Sequence, residues 1–226
     1  MYHSIWFGTD ASRSASGKNS WAAWHLVPTS RPLVNPPPVK TNYIPIPGAD
    51  ALLDLTESLS GRPLYGNRSG SWEFLVMNDY HEWQELYSEI MAYLHGKILQ
   101  VVLEDDTTYF YEGRLSVNSW KSNPTNSVIT IDYNLQPYKK TIEAVSRSYN
   151  VSGSLDAVIG TGSPMPVTPT FTASAAGMAV KYKNVTYTLA KGSNTLRAIQ
   201  IPPNGSAAFQ FTGTGSVTIQ YRGGRL

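Results

Sequence analysis

The sequence contains no cysteine. That excludes disulfide staples, thiolate metal sites and a cysteine nucleophile together. Charge is also scarce: Asp, Glu, Lys and Arg make up 15% of the 226 residues, against about 25% in an ordinary soluble domain. No window approaches the ~18 uninterrupted apolar residues of a membrane span. The N-terminal MYHSIWFGTD lacks a basic stretch ahead of an apolar one, so no signal peptide is expected and synthesis is expected in the cytoplasm.

Aromatic residues are plentiful, with 14 tyrosines and six tryptophans. Tyr and Trp combine rigid contact area with a polar tip and are enriched at interfaces as well as in cores. With so few charges, two readings stand side by side: a surface covered by partners, or a β-rich domain with aromatic strands. Net charge is +2 and uneven. Residues 1–145 hold 11 Lys and Arg against 15 Asp and Glu, and residues 146–226 hold seven against one. The basic residues of the second part are scattered singly (Lys181, Lys183, Lys191, Arg197, Arg222, Arg225). That fits a solvated basic surface better than a nucleic-acid site.

The run NVSGSLDAVIGTGSPMPVTPT, between Tyr149 and Phe171, is built of Gly, Ser, Thr and Pro and reads as a linker. The expected organisation is a first domain over residues 1–148, a linker over 149–168 and a small domain over 169–226. In the first part His3–Phe7 and His25–Val27 read as short strands, separated by a polar loop at Gly8–Ser20 and by Trp21–Trp24. Four prolines between Pro32 and Pro38 impose an extended path. Val39–Pro47 fits only a sheet edge.

Trp72, Phe74 and Val76 alternate with polar residues over Ser71–Met77, a half-buried strand. Asp79 and Glu82 sit in capping-box spacing ahead of Trp83, Leu86, Tyr87, Ile90, Met91 and Leu94, the apolar stripe of a helix. His95 and Gly96 close it. Ile98–Leu103, Tyr109–Trp120 and Ser127–Leu135 follow as an antiparallel meander, with loops at Glu104–Thr108 and Lys121–Asn126. In the second part five strands are expected: Met178–Tyr182, Val185–Leu189, Asn194–Ile201, Ala207–Thr212 and Val217–Tyr221. The class is mainly β, with an α+β first domain and a small sandwich or partial barrel after it. A core of about 55 residues is marginal, so the second domain is expected to lean on another surface.

No catalytic constellation emerges. The four histidines (His3, His25, His81, His95) have no metal-ligand spacing. Glu104-Asp105-Asp106 reads as a solvated hairpin tip, and neither a phosphate-cradling glycine motif nor a nucleophile elbow occurs. No enzyme activity, metal or cofactor is expected.

One stretch demands a reason. In PGADALLDLTESLSGRPLYGNRSGSWEF (Pro47–Phe74), Ala51–Leu55 is apolar enough to bury, while Glu57–Gly70 is polar, carries three glycines and two arginines, and reads as exposed. The run VKTNYIPIPGADALLDLTESLSGRPLYGNRSGSWEF, with LHGKILQVVLEDDTTYFYEGRLSVNSW and ITIDYNLQPYKK, resembles the distal tail protein (Dit) family of long-tailed phages and prophages of Gram-positive hosts. The resemblance spans residues 1 to about 140. It is densest at Pro47, Gly48, Ala49 and Asp50, through Asp54 and Leu55, then Gly61, Arg62 and Tyr65–Arg68; the terminal VTIQYRGGRL is similar as well.

The resemblance implies an N-terminal β-sandwich with an associated helix, six copies in a ring, and a galectin-like β-sandwich projecting from it. It further implies a virion protein that joins the tail tube protein to a tail-associated lysin, tape-measure or receptor-binding protein, with neither membrane nor nucleic acid as partner. On this reading Gly48–Gly70 is an inter-subunit or tube-facing arm. Its site residues are Pro47, Gly48, Asp50, Asp54, Gly61, Arg62, Tyr65 and Arg68, with Arg62 and Arg68 as polar anchors for a neighbour. Two rival readings remain. A carbohydrate-binding adhesin would make a host glycan contact through residues 171–226, although Tyr182, Tyr187 and Tyr221 fit core positions. A tail tube protein would form long stacks.

Overall fold

A computed structural model describes residues 3–13, 17–122 and 126–226. The chain divides into two units, Met1–Lys139 and Lys140–Leu226, each with its own core. It is mostly strand with one substantial helix, the β-rich α+β class.

In the first unit the strands are β1 (Ile5–Gly8), β2 (Lys18–Asn19), β3 (Leu26–Pro28), β4 (Val39–Lys40), β5 (Tyr43–Pro45), β6 (Leu52–Asp54), β7 (Leu64–Tyr65), β8 (Arg68–Val76), β9 (Ile98–Leu103), β10 (Tyr109–Ser122) and β11 (Ser127–Leu135). The main sheet runs β2-β1-β9-β10-β11-β8-β3. Its inner face follows from the period of two in a strand. Trp72, Phe74 and Val76 of β8 point inward, and the register sets Trp72 opposite Ile131 and Phe74 opposite Ile129. The loop expected over Lys121–Asn126 includes residues 123–125, and the Gly8–Ser20 loop includes 14–16; both segments lie outside the described residues.

Helix α2 (Trp83–Leu94) covers this face with Leu86, Ile90 and Leu94 buried, and Trp83, Tyr87 and Met91 pack around them. Asp79 does not cap α2 itself. It caps a 3-10 turn, Tyr80–Glu82, accepting from the His81 N–H at 3.0 Å, and that turn runs into the helix. The helix ends where Gly96, at φ 74, turns back and donates its N–H to Leu115 O at 2.8 Å.

A second helix, α1 (Ser20–Trp24), was not legible from the Trp-Ala-Ala-Trp run. Asn19 Oδ1 accepts from Trp21 and Ala22 N–H at 3.0 Å, and His25, at φ 50, terminates it. Five residues are too few for a periodic stripe, so the cap makes this helix.

A short strand, β12 (Lys139–Thr141), precedes β13 (Val145–Gly160), β14 (Thr170–Ala173), β15 (Met178–Tyr182), β16 (Val185–Leu189), β17 (Gly192–Thr195), β18 (Ser206–Tyr221) and β19 (Gly224–Arg225). The second unit's sheet runs β16-β15-β18-β14-β17. β13 pairs β18 along its whole length, from Val145 opposite Tyr221 to Gly160 opposite Ser206. On the other edge of β18, β15 lies along Gln210–Thr212 and β14 along Val217–Gln220. Gly213 (φ 114) and Gly215 (φ 145) separate these two stretches, letting one strand serve two sets of neighbours. Ala207–Thr212 and Val217–Tyr221 are thus one strand where the sequence suggests two. Lys183 and Asn184, at φ 46 and 63, form the two-residue turn between β15 and β16, with the positive φ pair that matches strand twist.

The expected linker differs most. Of residues 149–168, those up to Gly160 belong to β13, and the units divide between Lys139 and Lys140. Serine and glycine sit on the exposed positions of a backbone-held edge, while Val151, Ala157 and Ile159 face the core. The expected strand Asn194–Ile201 is shorter, ending at Thr195; Ile201 makes an isolated bridge to Val167.

Candidate functional site

Between β3 and β8 the chain leaves the core as an arm. Its outgoing and returning halves pair only with each other: β4 with β7, Val39 opposite Tyr65, and β5 with β6, Ile44 opposite Leu53 and Pro45 opposite Leu52. Between these ribbons Leu55 N–H donates to Asn42 O at 2.8 Å, and Asn42 N–H donates to Thr56 Oγ1 at 3.0 Å. Ala49 N–H donates to Ile46 O at 3.1 Å across the tip, where Gly48 takes φ 78. Pro47, Gly48 and Asp50 form that exposed tip.

The root of the arm is fixed. Trp72 Nε1 donates to Leu33 O at 2.9 Å, Asn35 N–H donates to Tyr133 Oη at 3.0 Å, and Asn35 Nδ2 donates to Ser69 O at 2.8 Å. Arg68 joins both sides of the root, donating from Nη1 to Asn35 O at 2.9 Å and from Nε to Pro137 O at 2.8 Å. Its guanidinium lies 5.6 Å from the centre of the Tyr111 ring. Burial pushes its pKa down, opposed by the nearby phenols of Tyr111 and Tyr133.

The residues singled out from sequence therefore divide. Arg68, expected as an anchor for a neighbour, is only 4% exposed and bonds through Nε and Nη1 within its own chain. A buried guanidinium needs hydrogen-bond partners; the root supplies them to Nε and Nη1 and leaves Nη2 buried without one. Arg62 stays near the root, with Nη1 3.5 Å from Tyr138 Oη, and Tyr65 packs edge-on against Tyr138 at 6.0 Å. Asp54 accepts from Thr56 N–H at 2.8 Å, and its hydrogen bonds from Thr56 hold its carboxyl below its ordinary pKa. Gly61, at φ 65, ends the turn in which its N–H donates to Glu57 O at 2.8 Å.

The expected burial of Ala51–Leu55 is also reversed. Leu52 is 58% exposed and Leu53 46%, with Tyr43, Ile44, Ile46 and Leu64 exposed beside them; Leu59 is fully exposed. Opposed residues of a ribbon share a face, so Ile44 and Leu53 lie on one side and Pro45 and Leu52 on the other. Both faces are apolar. The available signal was the pairing of YIPI with ALLD around Pro-Gly, a hairpin too apolar on each side to suit water.

Elsewhere, the acidic tip is tied down rather than simply solvated. Glu104 accepts from Ser4 N–H at 2.6 Å, Asp105 faces His3 Nδ1 at 3.0 Å and Arg31 Nε at 2.8 Å, and Asp106 accepts from Lys139 Nζ at 2.6 Å. In the second unit Tyr182 and Tyr221 are buried and Tyr187 is half-buried, so these rings offer no open stacking platform. No helix among the described residues is long and apolar enough to cross a membrane.

No protein-family model matches the sequence, and no curated protein matches it. A solved structure does. The crystal structure of SPP1 Dit (gp 19.1), described as a paradigm of the hub adsorption apparatus in phages infecting Gram-positive hosts, aligns over 98% of this chain and 99% of its own, with a TM-score of 0.65 and 12% identity. The fold is that of Dit. The likeness covers residues of both units, so it is not confined to the stretch whose residues resemble that family.

Proposed function

We propose that this chain is a structural subunit of a phage tail tip: six copies close into a distal-tail ring that joins the tail tube to the receptor-binding or tail-associated apparatus of the virion. The arm carries this reading. An apolar ribbon exposed on both faces is costly in water and gains by being covered. Burying a Leu or Ile side chain fully contributes about 1.5–3 kcal/mol, so the half-exposed residues of the arm offer roughly 1 kcal/mol each. The sum is several kcal/mol, of the order of the ~4–15 kcal/mol cost of association. One arm alone gives a marginal contact. A closed ring, in which every copy gives one arm and receives another, doubles the contacts per subunit and limits growth.

The Dit-like fold supports the phage-tail setting, and the rigid root supports a fixed direction for the arm. Negative-stain images of the purified protein test the reading. Single or paired six-fold rings are expected. Long stacks would favour a tube protein, and separate monomers at high concentration would contradict the ring.

A further inference from the structure

Among the described residues of the first unit, the large apolar side chains exposed outside the arm are Leu75, Met77, Tyr80 and Ile98. The first three lie close together. Leu75 stands on the outer face of β8, between buried Phe74 and Val76, with Val27 of β3 opposite it on one side and Val128 of β11 on the other. Met77, 60% exposed, continues this face, and its N–H donates to His25 O at 3.1 Å. Tyr80, 62% exposed, follows with its ring centre 3.7 Å from that of His81. This apolar patch lies at the end of β8 away from the arm. Arg68 opens the strand at the arm's root and Leu75 lies seven residues further on, about 23 Å along it.

We propose that the face of the arm carrying Tyr43, Pro45 and Leu52 docks on the Val27–Leu75–Met77 patch of a second copy of the chain. This rests on the ring reading above and names the surface that receives the arm. A subunit of a closed ring gives and receives through different surfaces. Here the exposed apolar side chains gather in two places, set at opposite ends of one strand. Covering each with the other takes both out of water. Tyr43 and Leu52 are each more than half exposed. Asp54, opposite Tyr43, is the one charge on that face and is already held by Thr56 of its own ribbon. Lys121, opposite Val128, is matched by Glu73, Asp79 and Glu82 beside the patch, so the attraction is apolar rather than ionic. A fully exposed aliphatic side chain presents about 100 Å² of apolar surface and an aromatic one about 200 Å². At the exposures of these residues the contact covers about 400 Å² of apolar surface, or about 700 Å² in all at the usual apolar share. One such contact falls short of the ~1,200 Å² that a stable complex buries, and two per subunit in a closed ring reach it.

The absence of cysteine makes the test direct, and Leu52 and Met77 are both exposed. The full-length variant Leu52→Cys with Met77→Cys, treated with a short bismaleimide and run denatured, is expected to give a ladder of covalent multimers. An equal mixture of the two single variants should give a covalent dimer, and neither alone should yield more than about a tenth of that product. Separately, Met77→Lys and Leu52→Asp should each weaken assembly by about tenfold, and their combination should recover most of the loss. Both side chains stand in solvent, so the thermal midpoint of each variant should stay at the wild-type value. A cross-link within one chain, with no dimer from the mixture, would overturn the docking between copies. A wild-type ring of the expected mass that neither cross-links at these positions nor responds to Met77→Lys would overturn the patch and leave the ring standing. Wild-type protein that stays monomeric would overturn both.

Discussion

Arg68 reaches Pro137 through a 2.8 Å hydrogen bond from Nε to the carbonyl oxygen, while its Nη1 holds Asn35 O at 2.9 Å. One side chain thus ties the outgoing and returning halves of the arm to the segment after β11. Replacing it removes both part-buried hydrogen bonds together with the packing of a buried side chain. Arg68→Ala is expected to cost about 3 kcal/mol, or roughly 10 °C in thermal midpoint. Arg68→Lys should recover only part of this, because an ammonium lacks the planar fork. A thermal melt of both variants checks it.

The apolar residues of the arm should behave in the opposite way. Leu52→Asp and Leu59→Asp alter side chains already in solvent, so stability of the isolated chain should move by no more than about 0.5 kcal/mol. Self-association should weaken by at least about tenfold, since a carboxylate would enter an apolar contact. Denaturant unfolding beside sedimentation separates the two effects.

In the second unit, Gly213 and Gly215 should tolerate alanine worse than Gly153. All three have positive φ, but a Cβ on Gly215 would sit 2.6 Å from Ser174 Oγ and one on Gly213 3.1 Å from Met178 Cα, while one on Gly153 meets nothing within 4 Å. Gly153→Ala is expected to cost about 1 kcal/mol in backbone strain. Gly215→Ala and Gly213→Ala should cost about 2–3 kcal/mol, because strain and crowding add. Urea midpoints rank the three.

Acid should act through two ion pairs of the first unit. Asp105 is held below its ordinary pKa first by its hydrogen bond with His3 and then by Arg31; Glu89 is lowered chiefly by its hydrogen bond from Lys18, against the opposing effect of burial. A carboxyl that titrates lower in the folded chain stabilises it fully above the unfolded value, and that contribution fades as pH falls through the folded one. Stability should therefore hold from neutrality to about pH 5 and decline below about pH 4. Asp105→Asn should be less stable at neutral pH and show a shallower decline, measured by urea unfolding at pH 7 and pH 3.5.

Much of the first unit could be read directly, because its signals are periodic. The Trp72-Phe74-Val76 alternation and the Leu86-Ile90-Leu94 stripe each match a single buried face. The differences arise where distant partners decide the outcome. Serine and glycine in β13 resemble a linker locally, yet a sixteen-residue register with β18 makes them a strand; strand preference depends on neighbours. The arm was legible as a special segment, but its chemistry was inverted. Leu52 and Leu53 look like core and lie outside, whereas Arg68 looks like surface and lies inside. Hydrophobicity alone does not say which chain will do the burying.

The most direct measurement is the native mass of the full chain at micromolar concentration, compared with a form in which a short Gly-Ser link replaces residues 41–61. No buried core residue comes from that segment, so the shortened form should fold with an unchanged thermal midpoint. A closed multimer for the full chain, with the mass of six copies, and a monomer for the shortened form is the expected result. A monomeric full chain, or a shortened form that still assembles, would contradict it.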